Sequence, residues 1–108
     1  MRVIFIGDVV GSAGREALAA VLPSIRRDYN VDLAIVNGEN SADGNGIDAR
    51  SAQAIYDAGA DVITTGNHSF RKNSISEEYE RRDTLRRPAN FGDYVPGKGL
   101  CELDFGSY

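Results

Sequence analysis

Leu33-Ala34-Ile35-Val36-Asn37-Gly38-Glu39-Asn40 is the stretch that decides the fold. Its first four residues are apolar and end in β-branched Ile35-Val36, the composition of a buried strand. Its last two put a carboxylate beside a carboxamide where the chain leaves that strand for a glycine-rich turn over 41–46. Polar groups at the exit of a buried strand are costly unless something pairs with them. A metal cation, or a hydrogen-bond network centred on one, is a partner of the right chemistry.

The same arrangement recurs on either side. Residues 2–6 form an apolar run stopped by Gly7-Asp8, read as a strand buried on both faces, and 61–65 form a β-branched run stopped by Gly66-Asn67-His68. Between them come segments of helical spacing. After a turn over 8–14, Leu18, Val21, Leu22 and Ile25 recur at i, i+3, i+4 and i+7 and predict a helix over 15–29, with Pro23 expected to kink or split it near Leu22. Asp48 is placed to cap a second helix that runs to Ala58 and stops at Gly59. Ser74 and Glu77 have capping-box spacing for a third, highly charged helix to about Arg82. Residues 85–90 read as a fourth strand that Pro88 confines or cuts short. From Phe91 the chain turns glycine-rich, so 91–108 is expected to be a tail or a short hairpin. The alternation of strand and helix predicts one α/β domain over 1–108, a parallel sheet with helices on both faces.

Bulk properties narrow the function. The 108 residues are 42% apolar and 26% charged, with a net charge of −4. That balance argues against an electrostatic grip on nucleic acid or an anionic membrane, so no stable nucleic-acid complex is expected. Cys101 is the single cysteine, which allows no internal disulfide and suits a reducing compartment. The N-terminal apolar run is broken by Gly7 and Asp8, unlike a signal peptide. No run approaches the roughly 18 residues of a membrane span. A cytoplasmic protein is the expectation. The first turn reads G-x-x-x-G-x-x-G, which is neither the dinucleotide fingerprint nor a P-loop. Arg71-Lys72, Arg81-Arg82 and Arg86-Arg87 read as solvated faces balancing nearby carboxylates.

In an open parallel sheet, ligands sit beyond the carboxyl ends of the strands. Asp8, Glu39, Asn40, Asn67 and His68 are all one to three residues past a strand, so they share a rim. Each exit alone has an ordinary explanation as a turn former, a cap or a hydrogen-bonded histidine. Three on successive strands supply the oxygen and imidazole donors that bind Mg, Mn, Fe or Zn.

The motifs GDVVG (7–11), NGEN (37–40), GNH (66–68) and RPAN (87–90) resemble those of the bacterial YmdB-like metallophosphoesterases of the calcineurin-like superfamily. The resemblance spans residues 1 to about 99. It implies half of a metallophosphoesterase-type α/β sandwich and a metal-dependent phosphodiesterase. Such an enzyme would hydrolyse small phosphodiesters such as 2′,3′-cyclic nucleotides at a dinuclear centre of two divalent ions (Fe, Mn or Mg). On that resemblance Asp8 binds the first metal, Glu39 bridges the two, and Asn67 binds the second. Asn40 orients the phosphate or assists the first metal, and His68 protonates the leaving oxygen.

Two departures accompany the resemblance. The family continues GNHTWD where this chain reads Gly66-Asn67-His68-Ser69-Phe70-Arg71, and its members run to more than twice this length with further histidine ligands. This sequence has 1 histidine. The expectation is therefore an incomplete domain with apolar sheet surface left uncovered, and a homo-oligomer that covers it. The alternative function is a truncated, non-catalytic remnant acting as an oligomeric or nucleotide- or metal-binding module.

Overall fold

The computed structural model describes residues 1–107. Its elements run β1 (Val3–Ile6), α1 (Gly11–Asp28), β2 (Leu33–Asn37), α2 (Ala49–Ala58), β3 (Val62–Thr64), α3 (Ile75–Arg81) and β4 (Leu85–Arg86). The strands form one parallel sheet in the order β1-β2-β3-β4, with Phe5 beside Ile35 and Ile35 beside Val62. The parallel α/β expectation holds.

The helices, however, cover one face and not both. Every strand pairs with the next one in sequence, so each right-handed crossover steps the same way and returns over the same side. The row Ile6, Val36, Ile63, Leu85 points into that layer, and Val36, Ile63 and Leu85 are 0% exposed. They pack with Leu18 and Leu22 of α1, Ala52 and Ile55 of α2, and Ile75 and Tyr79 of α3. Burying each large side chain here stabilises the fold by about 1.5–3 kcal/mol.

The other face is open. Val3 and Phe5 keep 52% and 62% of their surface exposed, so β1 is not buried on both faces. The chain after β4 crosses this face over β2 and β3, where Met1, Leu33, Ile35 and Val62 meet Cys101, Leu103 and Phe105 around an open cleft of about 350 Å³. No strand forms over 91–107, so the hairpin does not; Tyr108 lies outside the described residues. The segment is tied down by Arg86 and Arg87, which are buried rather than solvated. Arg86 donates to the Leu100 carbonyl at 2.8 Å, and Arg87 donates to those of Gly97 and Pro88 at 3.2 and 3.0 Å. Backbone carbonyls supply the acceptors that these buried guanidinium groups need.

Three local differences have simple causes. Helix α1 starts at Gly11, earlier than the apolar stripe suggests, and runs unbroken through Pro23. Pro23 and the Ala19 carbonyl it deprives of a donor both lie on the solvent side. Asp48 caps α2 as expected, taking the Ser51 N–H at 2.8 Å while Ser51 Oγ takes the Asp48 N–H. Ser74 makes no side-chain cap on α3, because its own backbone is already helical (φ −70°, ψ −14°). No helix among the described residues is long and apolar enough to cross a membrane.

Candidate functional site

The ends of β1, β2 and β3 are stitched into one rim by backbone bonds. Val9 N–H donates to the Asn37 carbonyl at 3.1 Å, Gly11 N–H to Asn40 at 3.0 Å, and Gly38 N–H to Thr64 at 3.0 Å. Ser41 closes the turn on the Gly38 carbonyl with both its N–H (3.1 Å) and its hydroxyl (2.7 Å). Arg15 of α1 holds the turn from outside, donating to the Ser41 carbonyl and to that of Ala42 at 2.7 Å. Glu39 and Asn40 thus stand on a braced turn.

Two glycines are required by close approach. A Cβ on Gly66 would overlap the Glu39 carboxylate, so the β3 exit can press against that acid only as glycine. A Cβ on Gly38 would lie 2.9 Å from Ile55 Cδ1 and 3.0 Å from Ile63 Cγ2, under the turn.

Four of the five sequence-derived residues meet in a single chain of hydrogen bonds. Asn40 Nδ2 donates to Asp8 Oδ1 at 2.8 Å, and Asn40 Oδ1 faces His68 Nδ1 at 2.5 Å. Glu39 Oε2 accepts the His68 backbone N–H at 3.2 Å and lies 3.9 Å from its Nδ1. Asn67 is exposed beside His68 and is not part of this chain of bonds. Asp8 is held at φ +23°, outside the usual range for a residue with a side chain.

The proton positions follow from the partners. A carboxylate only accepts, so the amide group of Asn40 faces Asp8 and its carbonyl oxygen faces His68. That oxygen also only accepts, so Nδ1 of His68 carries a proton and Nε2 is the nitrogen left for other business.

Sequence reasoning missed two contributors. Asn37 donates from Nδ2 to Glu39 Oε1 at 3.3 Å, while its buried Oδ1 has no partner among the described residues. The signal was a polar residue ending an otherwise apolar strand. Tyr79, in the charged third helix, is 1% exposed and reaches the turn below His68. Burial pushes its phenol above the usual range, the Glu39 charge adding to this and hydrogen bonds to Thr65 and Ser69 opposing it.

Two carboxylates, Asp8 and Glu39, and the amides around them are hard oxygen donors suited to a divalent cation. The orphaned Asn37 oxygen beside Glu39 also calls for a positive or donating partner. The donors fit such an ion as part of a shell. Among the described residues, no three His, Cys, Asp or Glu side chains converge as a complete one.

A family model of YmdB-like proteins matches residues 4–107. The chain is 42% identical over 100 residues to a 2′,3′-cyclic-nucleotide 2′-phosphodiesterase of Bacillus subtilis, covering 93% of this chain and 38% of that protein. A crystal structure of a hypothetical protein from Thermus thermophilus superposes with a TM-score of 0.89 at 40% identity, over 99% of this chain and 41% of that one. A phosphatase structure from Mycoplasma pneumoniae superposes at 0.83 with 34% identity, over 94% and 38% of the two chains. The chain therefore spans about two-fifths of the length of these relatives. Sequence, fold and the three strand exits agree: the chain belongs to the YmdB-like protein family.

Proposed function

We propose that this chain contributes the first part of a metal-dependent phosphodiesterase centre acting on small phosphodiesters such as 2′,3′-cyclic nucleotides. The observation that carries the reading is the bonded chain Asp8–Asn40–His68–Glu39, which joins acids and imidazole across three strand exits. The name of the Bacillus subtilis relative supports the substrate class.

Asp8 would hold a first divalent ion, Glu39 would bridge to a second, and Asn67 would take part of the second ion's shell. Two such ions, Fe, Mn or Mg, would supply charge neutralisation at the phosphoryl oxygens and an acidified water. The chain's own residues do the rest. Asn40, engaged at both ends of its amide, orients His68 and the phosphate beside it, which is better supported than direct metal binding. On this reading His68, protonated on both ring nitrogens, keeps its Nδ1 proton on Asn40 and gives its Nε2 proton to the leaving oxygen, ending as the neutral Nδ1–H imidazole, a transfer worth about 10²–10⁴-fold. Glu39 is held by Asn37 and the His68 N–H, so its carboxylate cannot swing.

The test combines calorimetric Mn titration with hydrolysis of 2′,3′-cyclic AMP. Wild type should bind the ion and turn over. Asp8→Ala should lose both, and His68→Ala should keep the ion while losing about 10²-fold or more of turnover. No titratable ion in wild type would overturn the reading. The exposed Val3 and Phe5 favour a second reading, a metal- or nucleotide-binding module that self-associates through its open face. Ion binding and self-association with no turnover under any metal would select it.

A further inference from the structure

The turn that carries Asn67 and His68 is held from below by three hydroxyls that no part of the proposed chemistry uses. Tyr79 Oη lies 3.1 Å from the Ser69 carbonyl and 3.0 Å from Thr65 Oγ1. Ser69 Oγ lies 2.9 Å from Thr65 Oγ1 and also meets the Gly66 carbonyl. Thr65 Oγ1 lies 2.7 Å from the Arg86 carbonyl of β4. Thr65 gives its one proton to the Arg86 carbonyl, so its oxygen accepts from Ser69 and Tyr79, whose protons are shared between Thr65 Oγ1 and the carbonyls of Gly66 and Ser69 respectively. The turn closes on itself as well, Ser69 N–H donating to Gly66 at 3.1 Å.

We propose that Tyr79 is a positioning residue of this centre, its buried hydroxyl fixing the 66–69 turn through Ser69 and Thr65 and so setting where Asn67 and His68 stand relative to Glu39 and Asn40. The ring is fixed before the hydroxyl acts. Tyr79 is 1% exposed, and its ring packs against Phe70 with centroids 4.8 Å apart. From the opposite side the turn is held by Glu39, through the His68 N–H. A turn gripped from both sides keeps its imidazole in place, and catalytic geometry tolerates little displacement. The catalytic part of this proposal rests on His68 acting as the acid; the geometric part does not.

Tyr79→Phe keeps the ring and removes the hydroxyl. Tyr56→Phe is the control, because it removes another half-buried hydroxyl, 2.9 Å from Thr84 Oγ1, away from the turn. Amide hydrogen exchange should show the hydrogen-bonded His68 and Ser69 N–H protons exchanging about tenfold faster in Tyr79→Phe, with the Val36 and Leu22 amides no faster than in Tyr56→Phe. The imidazole signals of the single histidine should move in the first variant and stay in the second. Should Tyr79→Phe fail to fold, Ser69→Ala removes a second hydroxyl of the same network and is read in the same way. An unchanged His68 amide, or turn and core amides accelerating together, overturns the proposal. Where wild type hydrolyses 2′,3′-cyclic AMP, kcat in Tyr79→Phe should fall about tenfold at unchanged KM. A wild type without turnover counts against the phosphodiesterase reading alone, and the exchange data still decide the role of Tyr79.

Discussion

The two faces of the sheet have nearly the same chemistry and opposite fates. Toward the helices, Ala34, Val36, Ile63 and Leu85 are wholly buried; on the other side Val3 and Phe5 of β1 stand mostly in solvent. Both rows are β-branched, aliphatic or aromatic. Apolar character therefore reports what a position is suited to meet, and the packed layer reports what it does meet. The open face even grades along the sheet, since Val62 falls to 7% exposed where the 101–105 segment lies over it.

That contrast can be broken in four ways, from the largest effect down. Ile63→Ala, on the helix side, should cost about 2–5 kcal/mol in denaturant unfolding, because the packed layer cannot collapse into the gap. A cost below about 1 kcal/mol would mean that layer is loosely packed. Gly38→Ala adds a methyl against Ile55 and Ile63 and should cost about 1–3 kcal/mol by overpacking.

Glu78→Gln should cost about 1–2 kcal/mol at neutral pH. Glu78 binds Arg82 at 2.7 Å and Arg81 at 2.8 Å, and Arg82 in turn lies over the Tyr56 ring of α2. The Arg81 guanidinium, and Arg82 after it, hold the Glu78 carboxyl below the usual carboxylate range against the opposing effect of burial. A pKa depressed by folding adds stability above the unfolded carboxylate range and loses it as pH falls through the folded value. The melting gap between wild type and Glu78→Gln should therefore be full at pH 7 and close in acid. A gap that persists in acid would assign the effect to packing.

Phe5→Ser should move stability by about 0.5 kcal/mol or less, as an exposed position does. Sedimentation is the sharper reading there. A wild type that self-associates and a Phe5→Ser variant that does not would make the open face the contact.

The sequence pattern carried the order of elements, the α2 cap at Asp48 and the chain of exits through Asp8, Glu39, Asn40 and His68. It could not carry strand order, because periodicity describes each segment and says nothing of which strand lies beside which. Helices on one face follow from neighbour pairing alone. Arg86 and Arg87 looked like surface charges because their acceptors, the carbonyls of Gly97 and Leu100, are invisible to residue type. Tyr79 was hidden for a similar reason: an aromatic residue in a charged helix reads as packing, and its hydroxyl matters only through the turn it meets.

Asp8 sets backbone ease against a side-chain contact. Its backbone sits at φ +23°, where glycine is at ease and a side chain is not. Selection for thermal tolerance alone would pull this position toward glycine, and the carboxylate facing Asn40 would be the casualty. A glycine here would relax the backbone and leave Asn40 Nδ2 without the acceptor it now has.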